Sequence, residues 1–124
     1  MINLVEEWGK WASDHKDDLG SQSAWMSVMR GNVEFECGRS YCITDDDALV
    51  VDKAVSMLAR HSVVLLNVLC YKHLAGWSLR EIAREYLTVL EYGDAKGKKQ
   101  VAVYDAKAML NRAEGYVMGA MEKT

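Results

Sequence analysis

Within Leu74-Ala75-Gly76-Trp77-Ser78-Leu79-Arg80-Glu81-Ile82-Ala83 the chain carries a helix stop, a tight turn and a capped restart, and no other stretch constrains its fold as much. Gly76 can take the left-handed conformation that ends a helix. Ser78 can accept the amide of Glu81 while the Glu81 carboxylate reaches back to the Ser78 amide, so the pattern predicts a helix beginning at Leu79. Leu79, Ile82, Ala83, Tyr86 and Leu87 then recur at helical spacing, which turns one side inward and leaves Arg80 and Arg84 on another. A stop, turn and restart of this kind opens a helix-turn-helix. Capping boxes also open many helices that serve only a core, so both readings stand at this point.

The 124 residues suffice for one domain with a single core. Half of them are hydrophobic and about a quarter charged, a globular composition. The N-terminus, Met1-Ile2-Asn3-Leu4-Val5-Glu6-Glu7, is acidic and lacks a basic leader, and the apolar run from Val63 to Leu69 is broken by Asn67 and too short to span a bilayer. A cytoplasmic protein without a membrane partner is the expectation. The formal charge of −3 is unevenly spread: residues 1–52 hold 4 Lys and Arg against 11 Asp and Glu, net −7, and residues 53–124 hold 11 against 7, net +4. The basic half suits phosphate, and the acidic half suits a basic protein surface rather than DNA. The same asymmetry also arises when surface charge merely fluctuates along a sequence.

The chain has no proline and little strand alternation, and its periodic segments are helical. A first helix is predicted over residues 3–13, with Leu4, Trp8 and Trp11 inward and Glu6, Glu7 and Lys10 off that side. Residues 14–20 read as a loop, Ser23 as the cap of a short helix carrying Trp25, Val28 and Met29, and residues 32–43 as irregular. Thr44 followed by Asp45, Asp46 and Asp47 predicts a strong helix start, since exposed amides and the helix dipole both favour carboxylates there. Ala48, Val51, Val55 and Leu58 point that helix toward the core. A further helix over residues 62–74, with Val64, Leu65, Val68 and Tyr71, is apolar enough to be the buried spine. Residues 91–100 bring Gly93, Gly97, Lys96, Lys98 and Lys99 and read as a flexible basic connection. A final helix follows, with Val103, Ala106, Leu110, Ala113 and Val117 inward. The expected fold is all-α, a small single-domain helical bundle over residues 1–124, with an acidic helical part at 1–60 and a helix-turn-helix part at 61–124 whose inter-helix linker is unusually long.

Little in the chain points to chemistry. Cys37, Cys42 and Cys70 are an odd set and are expected as reduced thiols. Cys37 and Cys42 have knuckle-like spacing, and His15, His61 or His73 could complete a tetrahedral site, but no second close ligand pair exists, so loop thiols and no metal are expected. Asp45-Asp46-Asp47 lacks the loop and glycine of a calcium site. Gly93-Asp94-Ala95-Lys96-Gly97-Lys98 lacks the spacing and the Ser or Thr of a phosphate-cradling loop. No nucleophile and base pair up locally, so neither an enzyme nor a cofactor is expected.

Several segments in order nevertheless have a common likeness. These are Glu7-Trp8-Gly9-Lys10-Trp11-Ala12, Ser21-Gln22-Ser23-Ala24, Ile43-Thr44-Asp45-Asp46-Asp47-Ala48-Leu49 with Asp52 and Ala54, Gly76 through Ala83, and Arg112-Ala113-Glu114. Together the chain resembles the lambdoid-phage late-gene antitermination Q proteins of the helix-turn-helix type. The resemblance implies a helix-turn-helix similar to the promoter-reading module at the end of bacterial sigma factors. It implies a factor that binds a double-stranded DNA element at a phage late promoter, loads onto paused host RNA polymerase holoenzyme with its sigma factor, and carries it past terminators. The chain departs from the pattern where Thr88 to Gln100 intervenes before the last helix. Aligned through Arg112-Ala113-Glu114, the groove-facing positions implied are Gln100, Tyr104, Lys107, Ala108 and Asn111. Gln and Asn suit adenine edges, and Lys suits guanine or phosphate. Arg80, Arg84, Lys98, Lys99 and Arg112 complete the implied DNA-binding set, with phosphate contacts that add affinity without sequence information. A monomer in solution is expected. The alternatives are a promoter-binding regulator without antitermination activity, which a readthrough assay separates, and a helical protein-interaction domain whose lysines are simply solvated.

Overall fold

The computed structural model describes residues 3–14, 40–93 and 99–122. Of these, 81% are helical and none is in a strand, so the all-α expectation holds. The predicted short helix around Trp25 and most of the irregular stretch lie outside the described residues, as do Cys37, His15 and Lys98. The described residues form five helices: α1 (Leu4–Asp14), α2 (Asp45–His61), α3 (Val63–His73), the rod α4, and α5 (Val103–Glu122). Rod α4 runs without a break through α-helical Leu79–Glu81, π-helical Ile82–Leu87 and α-helical Thr88–Tyr92.

Local chemistry sets the helix starts. The Asn3 side chain accepts the amides of Val5 and Glu6 at 3.1 and 3.2 Å. Thr44 accepts the amide of Asp47, and Ser62 that of Leu65, the latter restarting the chain after a single residue between α2 and α3. At Ser78 both halves of the reciprocal cap form, each at 3.2 Å. Before it, Gly76 at φ 75° lets the Trp77 amide fold back onto the Tyr71 carbonyl at 2.9 Å and close the end of α3.

Helix α3 is the spine: α1, α2, the π segment of α4 and α5 all pack on it. Leu65, Leu66, Val68, Leu69 and Cys70 are buried around its circumference, which explains why its sequence is apolar all round rather than striped. Burial, helped by the charge of Asp52, pushes the Cys70 thiol well above its ordinary range, so it behaves as a small hydrophobe.

Helix α1 clamps this spine. Its buried side is Val5, Trp8, Gly9, Trp11, Ala12 and Ser13, and Leu4 stands exposed where the sequence reading turned it inward. The reason is Gly9: a Cβ there would sit 2.6 Å from the His73 carbonyl oxygen and 2.7 Å from its Cβ, so α1 rolls until its glycine meets α3. The two indoles then reach α2, Trp8 Nε1 donating to Asp52 at 3.4 Å and Trp11 Nε1 to Asp45 at 2.9 Å. Gly9→Ala should destabilise the chain by about 1–3 kcal/mol through overpacking, read as a lower urea midpoint at unchanged slope. A midpoint equal to wild type would contradict the close approach.

The rod α4 departs from expectation at its far end. Thr88–Tyr92 is helical rather than part of the linker, and the connection begins at Gly93, whose φ of 79° ends the rod. Thr88 is fully buried, and both its amide and its hydroxyl donate to the Ala83 carbonyl across the widened π turn, the hydroxyl at 2.6 Å. The same hydroxyl accepts the Val101 amide at 2.9 Å, which ties the far side of the connection back to the rod just before α5 starts. Thr88→Val keeps the shape and removes this junction. It should cost about 1–3 kcal/mol, with Thr88→Ser restoring most of it. Hydrogen exchange at Val101 should speed up in the valine variant, and unchanged protection there would contradict the tie.

Candidate nucleic-acid interface

Helix α5 is built on a three-and-four spacing: Ala106, Leu110, Ala113, Val117 and Ala120 are buried. Alanine every seventh residue lets the α5 backbone come close to its neighbours, and α5 packs chiefly on α2 and α3, with further contact to the start and π segment of α4. Val103, expected on this stripe, is 43% exposed, because the helix begins there and the core does not extend to its first turn. The basic C-terminal half and the acidic α2 therefore share one core.

The buried stripe fixes what the opposite side offers. Tyr104, Lys107, Ala108 and Asn111 are all exposed along it, Tyr104 at 78%. Arg112 is exposed on its flank. Lys99 and Gln100 are exposed just before the helix, while Lys98 lies outside the described residues. On α4, Arg80 and Arg84 are exposed, and Arg84 Nε donates to its neighbour Glu85 at 3.0 Å. Both members of that pair stay about half exposed, so the pair is weak and phosphate can compete for the guanidinium. The structure thus brings Tyr104, Lys107, Ala108, Asn111 and Arg112 onto one helix, with Arg80 and Arg84 on the rod that α5 touches.

The motif Arg112-Ala113-Glu114 divides its labour around the helix. Arg112 faces solvent, Ala113 is fully buried, and Glu114 Oε1 lies 2.7 Å from Nε2 of the buried His73 at the end of α3. Residue spacing alone presented His73 as a metal-ligand candidate and gave no sign of this partnership, because the two residues lie far apart in the chain. His61 is likewise engaged, stacked on Tyr116 with ring centroids 4.6 Å apart. The Cys42 amide donates to Glu7 at 3.0 Å. Among the described residues no three His, Cys, Asp or Glu side chains converge as metal ligands. No helix among them is long and apolar enough to cross a membrane.

The geometry is thus that of a helix pair presenting a polar and cationic side, with no catalytic constellation among the groups just described. Comparison with known proteins bears on what such a surface serves. Neither the curated proteins nor the solved structures give a match to the chain. The family model for phage antitermination protein Q matches residues 1–123, nearly the whole length. The chain therefore belongs to the phage antitermination protein Q family and has a role in phage antitermination.

Proposed function

We propose that α4 and α5 act as a helix-turn-helix that reads a double-stranded element at a phage late promoter, from which the factor loads onto paused, sigma-containing host RNA polymerase and promotes readthrough of terminators. The observation that carries this reading is the exposed row Tyr104, Lys107, Ala108 and Asn111, on a helix whose opposite side is locked into the core. In this arrangement α5 lies in the major groove. Gln100, Tyr104, Lys107, Ala108 and Asn111 face base edges, and Arg80, Arg84, Lys98, Lys99 and Arg112 hold the phosphates. Asn111 supplies the paired donor and acceptor that suit adenine, and Lys107 suits guanine or a phosphate. In this reading the factor is a monomer in solution, performs no reaction and needs no cofactor. Residues 1–60 and 61–124 divide the work, the second part holding DNA and the first meeting protein.

Two measurements test this. In a band-shift on a late-promoter fragment, Asn111→Ala and Lys107→Ala should each weaken binding by about tenfold or more, consistent with about 1–3 kcal/mol per base contact. Arg80→Ala should lower the salt dependence of binding while leaving sequence preference intact. Equal affinity and equal preference in both α5 variants would remove α5 from the groove. On a template carrying promoter, pause and terminator, the wild-type chain should raise readthrough by purified polymerase holoenzyme. DNA binding without a rise in readthrough would contradict the proposed loading mechanism.

A further inference from the structure

We infer that Ala108 reads a thymine through its C5-methyl group, so that the element bound by α5 carries a thymine one base pair away from the adenine held by Asn111. This rests on the placement of α5 in the major groove proposed above and adds which bases the row selects. Tyr104, Ala108 and Asn111 follow one another at intervals of four and three, with Lys107 beside them, so the four share the side of α5 opposite the buried Ala106, Leu110, Ala113 and Val117. All four are exposed, and none of their side chains makes a hydrogen bond or ion pair among the described residues. Three of them end in a polar group. Ala108, at the centre, ends in a methyl.

The short reach of Asn111 sets how close α5 must come. Its amide stands one methylene from the backbone, so it meets N6 and N7 of an adenine only when the helix lies near the groove floor. Ala108 lies one turn back on the same side, about 4.5 Å along the axis at about 1.5 Å per residue, and stacked base pairs are about 3.4 Å apart. It therefore comes against the neighbouring base pair, where a longer side chain would hold the helix away and withdraw Asn111. Contact through a bare Cβ discriminates between bases. The amino groups of adenine and cytosine and O6 of guanine would lose water against it and gain no partner. Thymine alone presents a methyl in the major groove, and burying one methyl against the other is favourable. Tyr104 and Lys107 are long enough to reach past this contact from either side.

The test titrates the full chain against a late-promoter duplex and against a set in which each thymine in turn is replaced by uracil, which keeps the base pair and lacks only the methyl. At one position the replacement should weaken wild-type binding about three- to fivefold, the effect of losing one buried methyl. Ala108→Gly should weaken binding to the parent duplex by a similar factor and should no longer distinguish thymine from uracil there, so the two losses do not add. Melting checks that the glycine variant is folded at the assay temperature, and Ala108→Ser, which keeps the helix and makes the contact polar, should likewise narrow the preference to under about twofold. The sensitive thymine should lie one base pair from an adenine whose replacement by 7-deazaadenine weakens wild type but not Asn111→Ala. Uracil tolerated at every position, or a thymine preference that persists in both Ala108 variants, overturns the inference. If Asn111→Ala weakens binding while uracil has no effect, α5 stays in the groove and only the thymine contact falls. If neither Asn111→Ala nor any uracil changes binding, the placement of α5 falls and the contact with it.

Discussion

The inner stripe of α5 is the constraint on which the rest of the molecule depends. Ala106, Leu110, Ala113, Val117 and Ala120 are all consumed by the core. A helix with one side so committed has no freedom to roll, because a turn of even one residue would bury Lys107 or Asn111 and expose leucine and valine. Burying either polar side chain without a partner would cost far more than a surface contact returns. The residues left outward are thus determined by packing, and any nucleic-acid role of α5 is limited to them. The three alanines also set the depth of α5. With leucine in their place the helix would stand farther from α2 and α3, and the reach between Glu114 and His73 would be lost.

His73 is the second point where several elements meet. Its backbone carbonyl and Cβ receive Gly9 of α1, its ring faces Glu114 of α5, and the chain leaves it for the turn that starts α4. Next to it, the Ser13 hydroxyl donates to the Gly9 carbonyl at 2.9 Å and to the Leu74 carbonyl at 3.4 Å. The end of α3 therefore positions the N-terminal clamp, the last helix and the capped restart together. Thr88 does the corresponding work at the other end of α4, where its hydroxyl holds the chain as it returns toward α5. Two buried polar side chains thus fix both ends of the α4 rod relative to α5, and the connection between rod and helix does not carry that burden alone.

Much of this is legible in the sequence where the determining interaction is local. The reciprocal Ser78 and Glu81 cap, the Thr44 cap with its three aspartates, and the periodic inner residues of α2 and, Val103 apart, of α5 are decided within one or two helical turns, and the structure has them as read. The errors fall where a distant contact decides. Leu4 looks inward by periodicity, but Gly9 must reach His73 and rolls Val5 into its place. Val103 continues the α5 stripe on paper, but the core stops one turn short of it. Residues 88–92 look like linker because glycine and lysine follow closely, whereas buried Thr88 bonding across a π turn keeps the rod helical to Tyr92. The outward residues of α5 follow from its periodicity once the inner stripe is known. The Arg84 pairing with Glu85 and the His73 pairing with Glu114 do not, because nothing in their spacing distinguishes a partner from a neighbour.

The central claim is that the Tyr104 side of α5, with Arg80 and Arg84 of α4 beside it, meets DNA while the exposed side of α2 at Leu49 does not. Photocrosslinking tests it most directly, with a photoreactive phenylalanine analogue placed singly at Tyr104 and at Leu49 and the protein bound to a radiolabelled late-promoter duplex. The account predicts a protein–DNA adduct from position 104, competed away by unlabelled promoter, and none from position 49. An adduct at 49 alone, or equal adducts at both, would contradict it.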